Sequence, residues 1–200
     1  MWDARYSEPG FAYGREPNDF LREMADRIPP GPVLCIAEGE GRNAIFLAKR
    51  GHEVTAVDAS IAGLEKLARW AAEERLTVRT VHADLADYVI EEGAFAGIVS
   101  IWAHLPPELR RRVHRQAVAG LRPGGVLVLE AYRPEQLRLK TGGPPVADMM
   151  MTLPDLRAEL RGLDLAIARE LTREVHEGKY HEGTSAVVQI LGIRSTAPTV

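Results

Sequence analysis

The residues best suited to chemistry lie between Val33 and Asn43, where an apolar run enters a loop that carries Gly39 and Gly41. A helical pattern opens directly after this loop. The order of buried strand, tight glycine turn and helix start is typical of ligand-binding turns in parallel sheets. Glycine lets the backbone come close to a ligand, and the helix start offers unpaired N–H groups to an anionic or polar group.

Glu38 and Glu40 give this glycine loop an unusual charge. A pyrophosphate bound there would face two carboxylates, and each like-charge contact at about 4 Å costs roughly 4 kcal/mol at an effective dielectric of about 20. A nicotinamide or flavin dinucleotide is therefore disfavoured. S-Adenosylmethionine suits the loop better, because it carries a sulfonium and an ammonium against a single carboxylate.

Asp58 lies 19 residues after Gly39, at the end of a predicted strand over His52–Val57. An acidic residue at this place can accept both ribose hydroxyls of an adenosine, which is the interpretation that strand, loop and spacing favour. The alternative is a helix cap, shared with Ser60.

Asp84 follows a further predicted strand, Val78–His82, at a strand end where ligand loops collect. Its carboxylate could hold the adenine amino group, with Leu85 against the ring. The alternative is a loop carboxylate that binds nothing.

Three histidines could take part in chemistry. His104 follows the predicted strand Gly97–Trp102 and could be a base, a substrate contact or merely a loop donor. His176 and His181 are flanked by glutamates, but their spacing fits no tight tetrahedral motif, so no metal is predicted.

The elements that position these residues follow from periodicity. Helices are predicted over Asp19–Arg27, Arg42–Arg50, Ile61–Arg75, Glu108–Leu121 and Leu153–Arg161, and Asn18 could cap the first of them. Parallel strands begin at Val33 and cover 52–57, 78–82, 97–102 and 126–132, the last after a sharp turn at 121–125. The chain closes with an antiparallel hairpin of strands 164–176 and 184–193 around the Gly-containing turn 177–183.

This pattern predicts an α/β fold, a Rossmann-like three-layer sandwich with a mostly parallel seven-stranded sheet and an antiparallel C-terminal hairpin strand. Ligands should bind over the carboxyl ends of the strands. We expect a single domain over residues 1–200, with an aromatic arm or lid at 1–20 and a frayed tail at 195–200.

The composition of the chain limits the kinds of partner that the protein is expected to bind. The 200 residues are 46% apolar and 26% charged, with a net charge of −3, so no global basic field recruits nucleic acid or an anionic membrane. No apolar run approaches the roughly 20 residues of a membrane helix, and no secretory signal is recognised. The single cysteine, Cys35, indicates a cytoplasmic protein without an intrachain disulfide, and it is predicted to be a core residue. Arg110, Arg111, Arg112 and Arg115 are better explained as a solvated helix face than as an RNA patch.

The ordered set of motifs resembles a class I S-adenosylmethionine-dependent methyltransferase over nearly the full chain. The residues that carry the resemblance are Glu38–Asn43, Asp58, Ala83–Leu85 and Leu121–Gly125. Within that superfamily, Trp2–Tyr6 and the Glu-Gly-Arg-Asn stretch resemble the tellurite-resistance and thiopurine S-methyltransferase-like group. In this group an aromatic N-terminal arm helps to cover the cofactor, which makes Trp2, Arg5, Tyr6 and Tyr13 candidates for a lid.

One departure from the family pattern concerns Cys35 and Ala37, where the family usually has an acidic residue and a glycine. A carboxylate at the first position would orient the glycine loop and the methionine amino group, and Glu38 could take part of that role.

The candidate site residues form two sets. The cofactor set comprises Trp2, Arg5, Tyr13, Glu38, Gly39, Glu40, Gly41, Arg42, Asn43, Asp58, Ala59, Ser60, Ala83, Asp84, Leu85, Ile101 and Trp102. The substrate set comprises Tyr132, Arg133, Tyr180 and His181, and His104 is the candidate catalytic residue.

The predicted reaction is in-line methyl transfer to a small-molecule acceptor such as a thiol, a chalcogen oxyanion or a similar soft nucleophile. An activated methyl group needs mainly proximity and orientation, which fits a sequence without an evident catalytic dyad. Two rivals remain. Gly39-x-Gly41-x-x-Ala44 matches the dinucleotide fingerprint in part and permits an NAD(P)-dependent oxidoreductase, and a non-catalytic S-adenosylmethionine-binding regulatory protein is also compatible. The acceptor and the oligomeric state are left open.

Overall fold

The computed structural model describes residues 2–196, so residues 197–200 of the predicted tail lie outside it. The strands are β1 Pro32–Ile36, β2 Glu53–Asp58, β3 Val78–His82, β4 Phe95–Ile101, β5 Leu121–Tyr132, β6 Leu163–Glu177 and β7 His181–Arg194. The helices are α1 Trp2–Tyr6, α2 Asp19–Met24, α3 Arg42–Lys49, α4 Ile61–Glu73, α5 Pro107–Gly120, α6 Gln136–Leu139 and α7 Leu153–Glu159.

The strands form one seven-stranded sheet in the order β3–β2–β1–β4–β5–β7–β6. Strands β1 to β5 pair in parallel, and β7 lies antiparallel between β5 and β6. This arrangement confirms the predicted fold class. The direction of winding changes between β1 and β4, and the carboxyl ends of these strands therefore mark the crevice in which ligands bind in open α/β sheets.

The centre of the sheet is apolar on both faces. In β1, Val33, Leu34, Cys35 and Ile36 are buried, as expected for a strand covered by helices on two sides. Alternate residues serve different layers: Val33 and Cys35 join the apolar cluster of α2, α3 and α4, whereas Leu34 and Ile36 join that of α5 and α7. Cys35 is thus a core residue, as predicted. None of the described helices is long and apolar enough to cross a membrane.

Two predicted boundaries were wrong in an informative way. The segment 121–125, expected as a sharp turn, is the first part of β5 and pairs with β4 across a register shift between Phe95 and Gly97. Gly124 lies in this irregular stretch with φ +78°, a left-handed conformation that glycine adopts readily. The helix expected over 19–27 is α-helical only to Met24 and ends in a 3₁₀ turn.

The C-terminal hairpin is tighter than predicted. β6 continues to Glu177 and β7 begins at His181, so that these two residues pair across the turn. The sequence predicts a turn at both residues, because the polar stretch there lacks the apolar alternation that indicates a strand. The longer hairpin carries both side chains to the carboxyl ends of β4 and β5.

Asn18 ties the N-terminal segment to the sheet. Its side-chain oxygen accepts from the Leu21 N–H at 3.0 Å, so it caps α2 as predicted. Its amide nitrogen also donates to Glu130 Oε2 at 2.5 Å and to Glu177 Oε1 at 2.8 Å. Asn18 is fully buried, and one side chain therefore satisfies a helix start and two buried carboxylates.

Replacing this residue should cost more than the loss of a cap. We expect Asn18→Ala to lower the free energy of unfolding by about 2–4 kcal/mol, because cap removal costs ~0.5–2 kcal/mol and a hydrogen bond to a charged group is worth ~1.5–3 kcal/mol. The matched control is Thr152→Ala, which removes the exposed cap of α7 and should cost only about 1 kcal/mol. Urea unfolding of both variants measures the difference, and equal losses would contradict a role for Asn18 beyond capping.

Candidate active site

The glycine turn supplies the hydrogen-bond acceptor for the start of the helix that follows it. Gly41, at φ +94°, precedes α3 and has no side chain with which to cap it. Glu38 supplies the cap instead: its Oε1 atom accepts from the N–H groups of Asn43 at 2.9 Å and Ala44 at 2.8 Å. The N–H groups that the sequence suggested were open to a ligand are therefore in use.

Burial sets the protonation of Glu38. Desolvation raises the pKa of its carboxyl to about 7, against the two N–H bonds and the nearby Arg42 charge, which favour the charged form. The neighbouring Asp58 carboxylate adds to the rise. Glu38 is therefore a carboxyl group that a cationic ligand could hold in its charged form near neutral pH.

Glu40 is bound to the N-terminal arm. One oxygen accepts from the Ala12 N–H and the other from Lys66 Nζ, both at 2.7 Å. Lys66 also donates to the backbone oxygens of Glu8 at 2.8 Å and Gly10 at 2.6 Å. This lysine, the cation nearest to Glu40, thus holds the arm against the glycine turn.

Asp58 links the first two strands at their carboxyl ends. Its two oxygens accept from the N–H groups of Gly39 and Ser60, each at 2.8 Å. Ser60 in turn caps α4, accepting from the Gly63 N–H at 3.2 Å. The capping duty anticipated as an alternative thus falls to Ser60, while Asp58 holds the glycine turn against the start of α4.

The aromatic arm lies directly on the turn. The Tyr6 ring packs so closely on Gly39 that a Cβ atom there would lie 2.5 Å from Tyr6 Oη. Tyr6 stacks on Trp2 with ring centroids 5.8 Å apart and meets Tyr13 edge-on at 6.2 Å. Asp3 anchors the start of the arm by accepting from Ser60 Oγ at 2.5 Å.

Two non-glycine residues at the switch point adopt left-handed backbone conformations. Ala37 has φ +50° and Trp102 has φ +57°, each directly after a central strand. A side chain in this region costs of order 1 kcal/mol or more, and such residues cluster at functional sites. Ala37 thus has the conformation that explains why the resembling family has glycine there.

A group of stacked rings lies at the ends of β4 and β5. Trp102 stacks on Tyr132 with centroids 4.3 Å apart, and His181 meets the two rings edge-on at 5.2 and 5.3 Å. His104 stacks on Tyr132 at 5.5 Å. We call Trp102, His104, Tyr132 and His181 the ring cluster.

His104 has both ring nitrogens engaged. Nδ1 lies 3.0 Å from the backbone oxygen of Trp102, and Nε2 accepts from the Tyr132 N–H at 2.9 Å. Burial lowers its pKa to about 3, so the ring is neutral. These bonds fasten the end of β4 to β5 and favour a structural role over the catalytic one predicted for this residue.

Glu177 is the polar centre of the site, and sequence reasoning missed it. Its Oε2 atom accepts from Arg42 Nη2 and from Trp102 Nε1, both at 2.5 Å, and His181 Nδ1 lies 3.8 Å away. The neighbouring Arg42 charge and these donors hold the pKa of Glu177 well below its usual range despite its burial. Arg42 and Trp102 lie 135 and 75 residues away along the chain, so no local pattern could have found this group.

The other predicted residues divide between the site and the surface. Tyr180 contacts the arm. Its hydroxyl donates to Glu8 Oε1 at 3.1 Å, and the Arg5 guanidinium lies 4.4 Å from its ring centroid. Arg133 instead pairs with Glu170 at 3.2 Å. Asp84 is exposed and accepts from the Ala86 N–H in a turn.

Four further members of the predicted cofactor set serve the scaffold around the turn. Leu85 and Ile101 are core residues, and the Ala83 N–H donates to the Asp58 backbone oxygen at 3.0 Å. The Ala59 backbone oxygen lies 3.1 Å from His82 Nε2. Within residues 2–196 no three His, Cys, Asp or Glu side chains are placed to hold a metal ion.

Residues 33–125 match the family model described as a methyltransferase domain. The matched segment, which is 93 of the 200 residues, contains the glycine turn and strands β2 to β4, and it is similar to the class I S-adenosylmethionine-dependent methyltransferases. S-Adenosylmethionine is the cofactor that this class uses.

Individual curated proteins are similar to the chain in sequence at a low level of identity. It is 26% identical over 155 residues to a 2-heptyl-1-hydroxyquinolin-4(1H)-one methyltransferase of Mycobacteroides abscessus, covering 76% of this chain and 66% of that one. The chain spans between 35% and 49% of the length of three further curated relatives.

Two solved structures show the same fold. TehB from Haemophilus influenzae has a TM-score of 0.74 and 18% identity, covering 97% of this chain and 66% of that one. A structure concerned with the conversion of a disulfide bond into a thioacetal group during echinomycin biosynthesis has a TM-score of 0.78 and 18% identity, covering 99% and 92%.

The contact between the arm and the turn can be tested at Gly39. Gly39→Ala should destabilise the protein more than Gly93→Ala, because the two glycines have similar φ angles, +62° and +66°, but only Gly93 has open space around the added Cβ. Backbone strain alone costs about 1 kcal/mol, whereas at Gly39 the arm must also move. Urea unfolding, with limited proteolysis to detect a released arm, compares the two variants. Equal stability and equal protection of the arm would show that Tyr6 is not fixed against the turn.

The protonation of Glu38 predicts a pH dependence. Since its pKa rises from 4.5 to about 7 on folding, the folded state binds more protons than the unfolded state between these values, and stability falls as pH rises through this window. Glu38→Gln keeps an oxygen for both N–H bonds but does not titrate. Its unfolding free energy relative to wild type should therefore rise by up to about 3 kcal/mol from pH 4 to pH 8, measured by urea unfolding. A difference that does not vary with pH would contradict the raised pKa.

Proposed function

We propose that this protein transfers a methyl group from S-adenosylmethionine to a small-molecule acceptor. The observation that carries the proposal is the Glu38 cap on α3. In a dinucleotide-binding turn, a pyrophosphate takes the N–H groups at the helix start. Here a carboxylate of the protein takes them, so a phosphate would find neither free donors nor a favourable charge.

The remaining groups fit the parts of S-adenosylmethionine. The Asp58 carboxylate lies at the end of β2, where it can accept from ribose hydroxyls, and the Glu38 carboxyl makes the turn attractive to a cation. The nearest basic groups are already paired, Lys66 with Glu40 and Arg42 with Glu177. The donor set thus suits a nucleoside without a phosphate. When bound, the cofactor supplies an activated methyl group, and the protein supplies orientation.

The acceptor is proposed to be a soft nucleophile, and the charges favour a neutral one. Beside the ring cluster Arg42 is paired with Glu177, and Arg133, the candidate partner for an oxyanion, is paired with Glu170, so neither arginine is free to hold an oxyanion. A thiol or a similar uncharged nucleophile is therefore preferred to a chalcogen oxyanion. The small-molecule substrate in the name of the Mycobacteroides relative supports this class of acceptor.

We further propose that residues 1–200 act as one domain and that the arm is its lid. The likeness to TehB and the aromatic arm support a place in the tellurite-resistance and thiopurine S-methyltransferase-like group. A cytoplasmic location is proposed from the single, buried cysteine.

The direct test is calorimetry with S-adenosylhomocysteine and NADH side by side. We expect binding of S-adenosylhomocysteine and none of NADH. Asp58→Asn should weaken the binding about 10–100-fold, because a hydrogen bond to a charged group is worth ~1.5–3 kcal/mol. Asp87→Asn, at an exposed turn, should leave it unchanged.

Tight NADH binding without S-adenosylhomocysteine binding would overturn the proposal in favour of an oxidoreductase. Binding of S-adenosylhomocysteine without turnover of labelled cofactor on any thiol or hydroxyl acceptor would favour the regulatory alternative.

A further inference from the structure

The tip of the C-terminal hairpin lies against the N-terminal arm. This hairpin tip consists of residues 178–180, which join β6 to β7. The Lys179 N–H donates to the Ala12 backbone oxygen at 2.9 Å, so the tip is hydrogen-bonded to the arm through the backbone of both segments. The bond needs neither side chain, and it therefore depends on how closely the two backbones approach each other.

Gly178 permits that close approach. It has φ +69°, a left-handed conformation that favours glycine. A Cβ atom there would lie 2.5 Å from Gly14 N, 2.6 Å from Tyr13 C and 2.7 Å from Ala12 O. All three neighbours are backbone atoms, which cannot turn aside as the end of a flexible side chain can. A residue with a side chain would therefore fit at this position only if the arm moved.

Side chains of the hairpin tip add weaker contacts to the arm. Glu8 accepts from Lys179 Nζ at 2.5 Å and from Tyr180 Oη at 3.1 Å. The Arg5 guanidinium lies 4.4 Å from the centroid of the Tyr180 ring. The side chains of Glu8 and Lys179 are exposed, so water and salt weaken their ion pair. The packed backbone at Gly178 is thus the firmer part of the contact.

The contact falls where the arm would have to bend. Just after the arm, the Glu16 backbone oxygen accepts from Arg42 Nη1 at 3.3 Å. The Asn18 N–H donates to Asn43 Oδ1 at 3.0 Å, so the chain is fixed to the start of α3 from this point on. Gly14, at φ +72°, lies directly before the fixed segment. Hinges of closing segments are a few such positions at the border of a rigid element, and the hairpin tip packs on this one.

The arm that the hairpin tip holds covers the glycine turn. The Tyr6 ring lies between Gly39 and the start of α4, where a Cβ atom on Gly63 would be 3.1 Å from Tyr6 Cδ2. The Gly39 N–H donates to Asp58, so the carboxylate proposed for the ribose lies beside the residue that this ring covers. A nucleoside that enters beside Asp58 therefore has to displace the arm.

We infer that the hairpin tip is a latch. Its packing against residues 12–14 keeps the arm closed, and separation of the arm from residues 178–180 lets the nucleoside cofactor enter and leave. The inference rests on the cofactor binding and the lid proposed above, and it adds that a second, distant segment controls the lid. Because the hairpin is part of the sheet, the arm is the side that moves.

The test closes the latch covalently in the full chain. Glu8→Cys and Lys179→Cys place one thiol on the arm and one on the hairpin tip, both at exposed positions, and a short bismaleimide joins them. The native thiol, Cys35, is buried and does not compete for the reagent. The matched control is Glu174→Cys with Thr184→Cys, exposed partners across the same hairpin that leave the arm free.

The measurement is the exchange of labelled S-adenosylhomocysteine, followed by rapid filtration. Linking the arm to the tip after loading should slow release at least about tenfold, and linking before loading should slow uptake as much, because a closed lid blocks passage. The control link should leave both rates unchanged. Equal exchange rates in the two linked proteins would overturn the latch.

A glycine variant tests the opposite change. Gly178→Ala should speed release about tenfold, because the added Cβ separates the arm from the hairpin tip. Gly10→Ala, at φ +79° but with open space around the Cβ, is the control for backbone strain within the arm. Equal release from the two variants would also contradict the latch, and the linked proteins keep the test independent of how stable these variants are. Failure of the proposed function appears earlier, since the unlinked protein would then not bind S-adenosylhomocysteine.

Discussion

The carboxylate of Glu38 at the start of α3 is the interaction on which the character of the site depends. A glycine at the helix N-cap has no side chain to offer, so the two N–H groups of Asn43 and Ala44 need another acceptor. That acceptor is Glu38, which lies five and six positions before these two residues, so the turn folds back on its own helix and places a carboxylate at the helix start. The same local geometry that serves phosphates in other parallel sheets is here closed to them.

A second polar group fastens distant parts of the chain to this turn. Glu177 at the hairpin receives hydrogen bonds from Arg42 at the start of α3, Trp102 after β4 and Asn18 before α2. Arg173 carries the network on to Glu130 at 2.8 Å within the sheet. Such a buried network costs desolvation, and it is stable because its members have charged or hydrogen-bonded partners. This network fixes the relative positions of the arm, the glycine turn and the ring cluster.

The fold could be predicted from sequence because it rests on periodicity. β1 is continuously apolar and the helices carry clear apolar faces, and both signals are local. The glycine turn was found for the same reason. The errors occurred where pairing overrides local composition: the segment 121–125 contains turn residues but belongs to β5, and Glu177 and His181 are polar but belong to strands. The assignments of Asp58 and the arm depended on spacing and resemblance, and they remain proposals as ligand contacts. The Glu177 group lay beyond sequence reasoning, because its hydrogen-bond partners are 75 to 159 residues away.

The arm touches both halves of the site. Tyr6 covers the glycine turn, while Glu8 binds Lys179 and Tyr180 on the hairpin, and the Lys179 N–H donates to the Ala12 backbone oxygen at 2.9 Å. Peeling the arm from one half therefore loosens its hold on the other. If the arm is the proposed lid, exchange of spent nucleoside and departure of the modified molecule would share a single opening event, and turnover would be paced by the motion of about a dozen residues at the beginning of the chain.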